Sequence, residues 1–319
     1  MSILSRRSVA DIIARRFAAK INAAIHPAVE PRFPEITIRT TDISIETRHG
    51  PVAATIYPPQ SPTGTPGVYV NAHGGGFVVG HREQDDAWCR FLAAHANVFV
   101  LNTDYALAPG KRFPTPAEQF YDVVQWASGP EREWDGTRLC VGGQSAGGNL
   151  SAAVSRMSLE NDGPAIALQI LHYPPLDIMT PPSHKPSPLG SKAVLQPWLC
   201  EVFDTAYTPD RAQRSHRFVS PAWGDNANGI AGIAPALVIA AEFDRLRTEA
   251  RRYADKLEAV GALAEYVEVR GVDHGYDIMT DETEITRRMY EVIVAHVNRA
   301  VDSNIQSHNQ STTQPKGTL

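Results

Sequence analysis

Gly143-Gln144-Ser145-Ala146-Gly147 sets a hydroxyl between two glycines, directly after the apolar run Leu139 to Gly142. Glycine at both flanks permits a tight strand-to-helix reversal, where the crossing segments leave no room for side chains. Ser145 then projects from the turn, and the amides after it point toward a reacting atom. A helix beginning near Gly148 adds an end dipole that favours developing negative charge. A bare match to this pattern arises by chance; the strand before and the helix after give it weight. His73-Gly74-Gly75-Gly76 follows a second apolar run, Val68 to Val70. Successive glycines let a ligand oxygen approach the backbone closely, so the N–H groups of Gly74, Gly75 and Ala146 are candidates for an oxyanion hole. His73 itself reads as structural, orienting the glycine loop.

Acyl transfer from such a serine needs a base and a partner for the base. His274, in Asp273-His274-Gly275-Tyr276, follows a short strand and precedes the last helix. Its neutral imidazole can take the serine proton and return it to a leaving group. Asp244 follows the apolar run Ala236 to Ala240 and is placed to orient that imidazole. Asp273 is a weaker candidate, because an adjacent side chain usually points away. Asp177 lies at the start of an insertion, and Glu242 suits a supporting hydrogen bond. His172 and His184 lie near the same insertion and could line it. Serine, acid, base in that chain order is the order of an α/β-hydrolase, and it differs from chymotrypsin and subtilisin.

These residues must be brought together by elements far apart in the chain. Strand-like runs are expected at Ile36 to Ile45, Val52 to Tyr57, Val68 to Asn71, Val98 to Thr103, Leu139 to Gly142, Ala167 to Leu171, Ala236 to Ala240 and Glu265 to Val269. Helical patterns occupy Asp85 to Ala94, Ala117 to Ala127, Asn149 to Leu159, Glu249 to Val260 and Glu282 to Ala300. Apolar strands alternating with helices predict a mostly parallel sheet covered on both faces.

The rhythm breaks between Pro174 and Pro221, where prolines mix with bulky side chains. That stretch is too apolar for a linker and is expected to fold over one sheet edge as a lid, joined by the N-terminal helices. The N-terminus carries Leu4, Ile12, Ile13, Phe17, Ile21 and Ile25 at helical spacing among Arg6, Arg7, Arg15, Arg16 and Lys20. This is an amphipathic basic helix, expected to pack on the body of the protein and to make no stable membrane insertion. A Pro-rich bend from Pro27 to Pro34 follows it. The boundaries expected are an N-terminal cap and lead-in over 1–45, core segments 46–178 and 221–302, a cap insertion over 179–220, and a disordered tail over 303–319.

Composition narrows the functions. The 319 residues carry 30 basic and 35 acidic side chains, net −5, which disfavours a nucleic-acid-binding face. Three isolated cysteines form neither a disulfide framework nor a metal spacing, which favours a reducing, cytoplasmic setting. No His, Cys, Asp and Glu spacing suggests a metal, and the glycine loop lacks the lysine of a nucleotide loop, so no cofactor is expected.

HGGG at 73–76, DYALAP at 104–109, GQSAGG at 143–148, AEFDRLR at 241–247 and DHGYD at 273–277 form an ordered set. With these motifs the chain resembles the hormone-sensitive-lipase-like branch of the α/β-hydrolases, a group rich in bacterial carboxylesterases. The resemblance spans roughly residues 68–296. It implies an α/β-hydrolase fold with an eight-stranded, mainly parallel central sheet flanked by helices, and a helical cap. It also implies a triad of Ser145, Asp244 and His274, with an anion hole at Gly74, Gly75 and Ala146. Two positions depart from the pattern: Gly110 stands where a glutamate is common, and Arg245 replaces the proline of a usual Asp-Pro. Asp104, Tyr105 and Glu118 are candidates to support the glycine loop in place of that glutamate.

The expected activity is hydrolysis of short- or medium-acyl esters through an acyl-enzyme. An amidase, a lactone or thioester hydrolase, and a noncatalytic small-ligand receptor are the alternatives. Phe77, Trp88, Tyr173, Trp198, Leu199, Phe203 and Trp223 are candidate substrate-binding residues, each equally able to be ordinary core. A homodimer through the N-terminal or final helix is a further possibility, as in some members of the resembled family.

Overall fold

A computed structural model describes residues 3–24 and 32–311, with side chains for 3–21 and 32–302. Most of the Pro27–Pro34 bend lies outside the described residues. Eight strands form one sheet: β1 (Thr41–Ile45), β2 (Val52–Tyr57), β3 (Gly67–Ala72), β4 (Val98–Thr103), β5 (Leu139–Gln144), β6 (Ile166–His172), β7 (Ala236–Ala241) and β8 (Leu263–Val269). Their spatial order is β1-β2-β4-β3-β5-β6-β7-β8. The β1–β2 and β2–β4 pairs are antiparallel, and every later pair is parallel. Every residue of β3, β5 and β7 is buried, as a sheet covered on both faces requires.

The helices are α1 (Arg7–Ala24), α2 (Asp86–His95), α3 (Thr115–Ala127), α4 (Ala146–Glu160), α5 (Pro197–Tyr207), α6 (Arg211–Arg214), α7 (Arg247–Glu258), α8 (Tyr276–Met279) and α9 (Thr283–Ser311). Alternation along each strand divides the interior in two. Leu237 and Ile239 of β7 join the cluster of Trp88 and Phe91 from α2 with Ile293 and Val297 from α9. Ala236, Val238 and Ala240 point the other way, onto Tyr253, Ala254 and Leu257 of α7. Val68, Val70 and Ala72 of β3 likewise meet α3 and α4.

The first expected strand is shorter than its apolar pattern. Residues 36–40 stay irregular, and the carbonyls of Phe33 and Ile36 accept Arg90 Nη1 at 2.9 and 2.7 Å instead of joining the sheet. The final helix continues past Ser303, where a disordered tail is expected, and residues 312–319 lie outside the described residues.

The insertion carries α5 and α6. Helix α1 lies on α5, with Phe17 edge-on to Phe203 at a centroid distance of 5.6 Å, and Ile13 and Ile21 pack into the same cluster as Val202 and Ala206. The basic side chains Arg15, Arg16 and Lys20 face outward. Among the described residues, no helix is long and apolar enough to cross a membrane.

Candidate active site

Strand β5 stops at Gln144 and α4 starts at Ala146, leaving Ser145 between them at φ 51° and ψ −117°. That backbone is strained for any residue with a side chain, and the surroundings must enforce it. The enforcement is steric. A Cβ on Gly143 would sit 2.0 Å from the Ala72 carbonyl oxygen, and one on Gly147 only 1.8 Å from it. The end of β3 therefore fits into the turn because both glycines are bare. Ser145 N–H donates to the His172 carbonyl at 2.9 Å, and the Ser145 carbonyl accepts Asn149 N–H at 3.1 Å.

Asp244 and His274 come from the turns after β7 and β8. Their side chains meet with Nδ1 and Oδ2 2.7 Å apart, and His274 Nε2 lies 3.0 Å from Ser145 Oγ. The other carboxylate oxygen of Asp244 accepts Leu246 N–H at 3.0 Å. An ionised carboxylate only accepts, so His274 Nδ1 carries the proton and Nε2 presents its lone pair to the serine hydroxyl. His274 is 5% exposed and Asp244 3%, so water competes little for either bond.

The glycine loop lies against the nucleophile turn: a Cβ on Gly74 would stand 3.6 Å from Ser145 Cβ. Gly75 has φ +117° and Gly76 φ +61°, conformations that favour glycine. His73 Nδ1–H donates to the Gly74 carbonyl at 2.7 Å, and its ring stacks on Tyr105 at 4.4 Å. Tyr105 O–H closes the unit by donating to the His73 carbonyl at 2.8 Å. Burial lowers the His73 pKa, keeping the ring neutral as a brace. Asp104 accepts Arg82 N–H at 2.7 Å and Nη1 at 2.6 Å, steadying the segment after the loop. Glu118 lies 2.6 Å from His49 Nε2 instead and does not reach the loop.

The other candidates scatter. Trp88 packs on Tyr69 and Tyr290 in the α2–α9 interior. Phe77 stacks on Tyr207 at 3.9 Å beneath the cap. Phe203 covers Gly76, where a Cβ would come within 2.1 Å of its ring. Leu199 is buried on α5, whereas Trp198 is 47% exposed; Trp223 is half-buried in the turns after the insertion. Tyr173 sits edge-on to His274 at 4.7 Å. His172 is buried behind the nucleophile turn and does not line the lid, while His184 is exposed. Asp177 closes its own turn by accepting Thr180 N–H at 2.9 Å and Oγ1–H at 2.7 Å. Glu242 accepts Gly271 N–H at 2.7 Å, a supporting bond.

Sequence reasoning missed what lies beneath the imidazole. Asp277 accepts the hydroxyls of Tyr173 and Tyr290, and His172 Nε2 lies 2.9 Å from Tyr276 Oη. The motif held the signal, since Asp277 falls three residues after His274. Arg245 takes up a new arrangement in place of proline: its guanidinium donates to the carbonyls of Leu195 and Lys185 in the insertion. Among the described residues, no group of three or more His, Cys, Asp and Glu could hold a metal ion.

Residues 69–278 match the family described as alpha/beta hydrolase fold. The carboxylic ester hydrolase LipN of Mycobacterium tuberculosis is 33% identical over 274 residues, covering 83% of this chain and 70% of that protein. The ethyl acetate hydrolase of Pseudomonas putida is 32% identical over 244 residues, covering 74% and 75%. A solved hyperthermophilic esterase from the archaeon Pyrobaculum calidifontis superposes with a TM-score of 0.78 at 31% identity, covering 92% of each chain.

Proposed function

The chain belongs to the α/β-hydrolase-fold family, in its hormone-sensitive-lipase-like branch, and is a carboxylic ester hydrolase; from that premise we propose a serine esterase acting on short- or medium-acyl esters through an acyl-enzyme. The observation that carries this reading is the unbroken relay from Asp244 through His274 to Ser145, at 2.7 and 3.0 Å.

His274 Nε2 removes the hydroxyl proton as Ser145 Oγ attacks the ester carbonyl carbon. Asp244 holds the imidazole and stabilises its charged form without taking a proton. The carbonyl oxygen becomes an oxyanion received by the N–H groups of Gly74, Gly75 and Ala146. Ala146 opens the fifteen-residue helix α4, whose end dipole adds to the attraction. The proton on Nε2 passes to the alkoxide as the C–O bond breaks, and the alcohol leaves. Water then repeats the cycle with His274 as base, and the acid is released from Ser145.

Two observations support a limit on acyl length. Phe203 from the cap fills the space over Gly76, and a relative with 32% identity is named an ethyl acetate hydrolase. The test is a series of aryl esters of increasing acyl length, with the matched anilides alongside, while intact-protein mass follows the acyl adduct. Turnover and a one-acyl mass gain are expected in the unaltered chain, and both vanish in Ser145→Ala. A normal adduct in Ser145→Ala refutes the nucleophile; anilide turnover with negligible ester turnover makes the protein an amidase.

A further inference from the structure

The turn that carries Asp244 and the turn that carries His274 are both bound to one stretch of the cap, residues 185–196. Arg245, 6% exposed, donates to the carbonyls of Lys185 and Leu195 near the two ends of that stretch. Ser187 Oγ–H donates to the Phe243 carbonyl at 2.6 Å. On the other turn Asp273 divides its carboxylate: Oδ1 accepts His274 N–H at 2.8 Å and Oδ2 accepts Val194 N–H at 2.7 Å. One end of the stretch is anchored in turn. Lys185 Nζ lies 2.5 Å from Glu249 Oε2 on α7, and Glu249 Oε1 accepts Leu176 N–H at 2.8 Å.

Nearer the sheet the two turns are already joined by Phe243 N–H on the Val272 carbonyl at 3.0 Å. Those bonds fix the bases of the turns. Beyond them, the residues adjoining the reacting side chains are held through the cap. A buried guanidinium is a rigid fork of donors, so two carbonyls on it are fixed relative to each other and to its own backbone. The Asp273 carboxylate does the same from the acceptor side, and it grips the backbone of His274 itself.

Taking Asp244 and His274 as the acid and base of the proposed reaction, we propose that Arg245 and Asp273 are positioning residues. Through the strap of residues 185–196 they hold the acid and the base at the separation that keeps the imidazole aligned on Ser145. The cap is thereby part of the geometry of the triad as well as a wall of the site.

The variants Arg245→Lys, Asp273→Asn and Ser187→Ala test this, with a small water-soluble ester as substrate. Lysine keeps the charge but is shorter and donates from a single atom, so it does not reproduce the two fixed donor directions of the fork. A displacement near 1 Å in a reacting group costs up to about a hundredfold in rate, so kcat is expected to fall about ten- to a hundredfold in the first two variants. KM should stay within about twofold, since the effect is on the reacting step and not on uniform binding. The downfield Nδ1 proton resonance of His274 should weaken, and the two losses should be less than additive in the double variant. Ser187→Ala should move every readout the same way by less.

Wild-type kcat and an unchanged His274 Nδ1 resonance in folded Arg245→Lys and Asp273→Asn would overturn the proposal. So would losses that follow only the melting temperature while the resonance stays in place. If either buried substitution prevents folding, Ser187→Ala decides by the same criteria. His274→Ala separates this proposal from the reading beneath it: acylation at the wild-type rate there refutes the base, whatever the strap variants do. Inactive His274→Ala beside fully active strap variants refutes the strap alone.

Discussion

Burial sets the charge of the side chains behind the nucleophile turn. His172 has its pKa lowered by desolvation, so it is a neutral hydrogen-bonding group beside Tyr276. Asp85 is the opposite case: burial pushes its pKa up to about 7, with the nearby Asp277 adding to the rise. One carboxyl oxygen accepts Asn71 Nδ2–H at 2.8 Å, and the other is buried without a hydrogen-bond partner. An unfolded aspartate titrates near 3.9, so the folded state binds this proton more tightly than the unfolded state. The stabilising contribution of Asp85 is then fully present below about pH 4 and is lost as the pH rises through 7. Asp85→Asn removes the charge at nearly constant shape. Its stability relative to the unaltered chain should improve by about 4 kcal/mol between pH 4 and pH 8, three units at about 1.4 kcal/mol each. Urea unfolding at both pH values checks this, and a pH-independent difference would refute it. Asp85 was not legible in the chain, where it stands in a polar run beside Asp86 and looks solvated. Ser145, by contrast, was legible because its glycines state a backbone requirement in their own chemistry. Asp244 and His274 were legible by chain order and by the strands before them.

The elements followed their patterns where burial is simple. Val52–Tyr57 and Val98–Thr103 have the bounds their residues predict, and alternation sends Val52, Ala54 and Leu101 to one interior cluster and Tyr57, Val98 and Val100 to the other. The pattern failed at residues 36–40, because the carbonyls of Phe33 and Ile36 are taken by the side chain of Arg90, a partner that no local period announces. Spacing showed two kinds of glycine alike, and the fold separates them. Gly147 faces main chain: its absent Cβ would lie 1.8 Å from the Ala72 carbonyl oxygen, which cannot swing aside. Gly76 faces a side chain, Phe203, and has φ +61°. Gly147→Ala should therefore force β3 and α4 apart and abolish soluble folded protein. Gly76→Ala should fold with a loss of about 2–4 kcal/mol, the sum of an overpacked ring and a strained left-handed residue. It should also lose turnover out of proportion, since the loop beside Ser145 is what moves. Soluble yield, urea midpoints and kcat together check the pair; equal effects of the two substitutions would refute the distinction.

At the scale of the molecule, the cap is one layer made from distant parts of the chain. Helix α1 supplies Phe17 and α5 supplies Phe203, and α5 covers Gly76 of the glycine loop with that ring. The apolar residues of α1 and its place beside the insertion were legible in the chain, but the contact of Phe17 with Phe203 was not, because hydrophobic periodicity names a buried face without naming the side chain that buries it. The layered arrangement makes Phe203 answer to two demands, packing against α1 and filling the volume over Gly76. Phe203→Ala separates them. The packing term predicts a loss of about 2–3 kcal/mol in unfolding free energy for a half-buried ring. A substantial part of that loss should be shared with Phe17→Ala, giving a coupling of about 0.5–1.5 kcal/mol in the double-mutant cycle. The volume term predicts a change in acyl preference. Space vacated over the loop lets a longer chain gain contact, and each accommodated methylene is worth at most about 1–3 kcal/mol of discrimination. The ratio of kcat/KM for a hexanoyl ester to that for an acetyl ester should rise by about tenfold or more in Phe203→Ala. Phe17→Ala, which weakens the same contact from the far side of the ring, should leave that ratio nearly unchanged. A ratio that rises equally in both variants would mean that cap mobility governs acyl length, and that the volume of this ring does not.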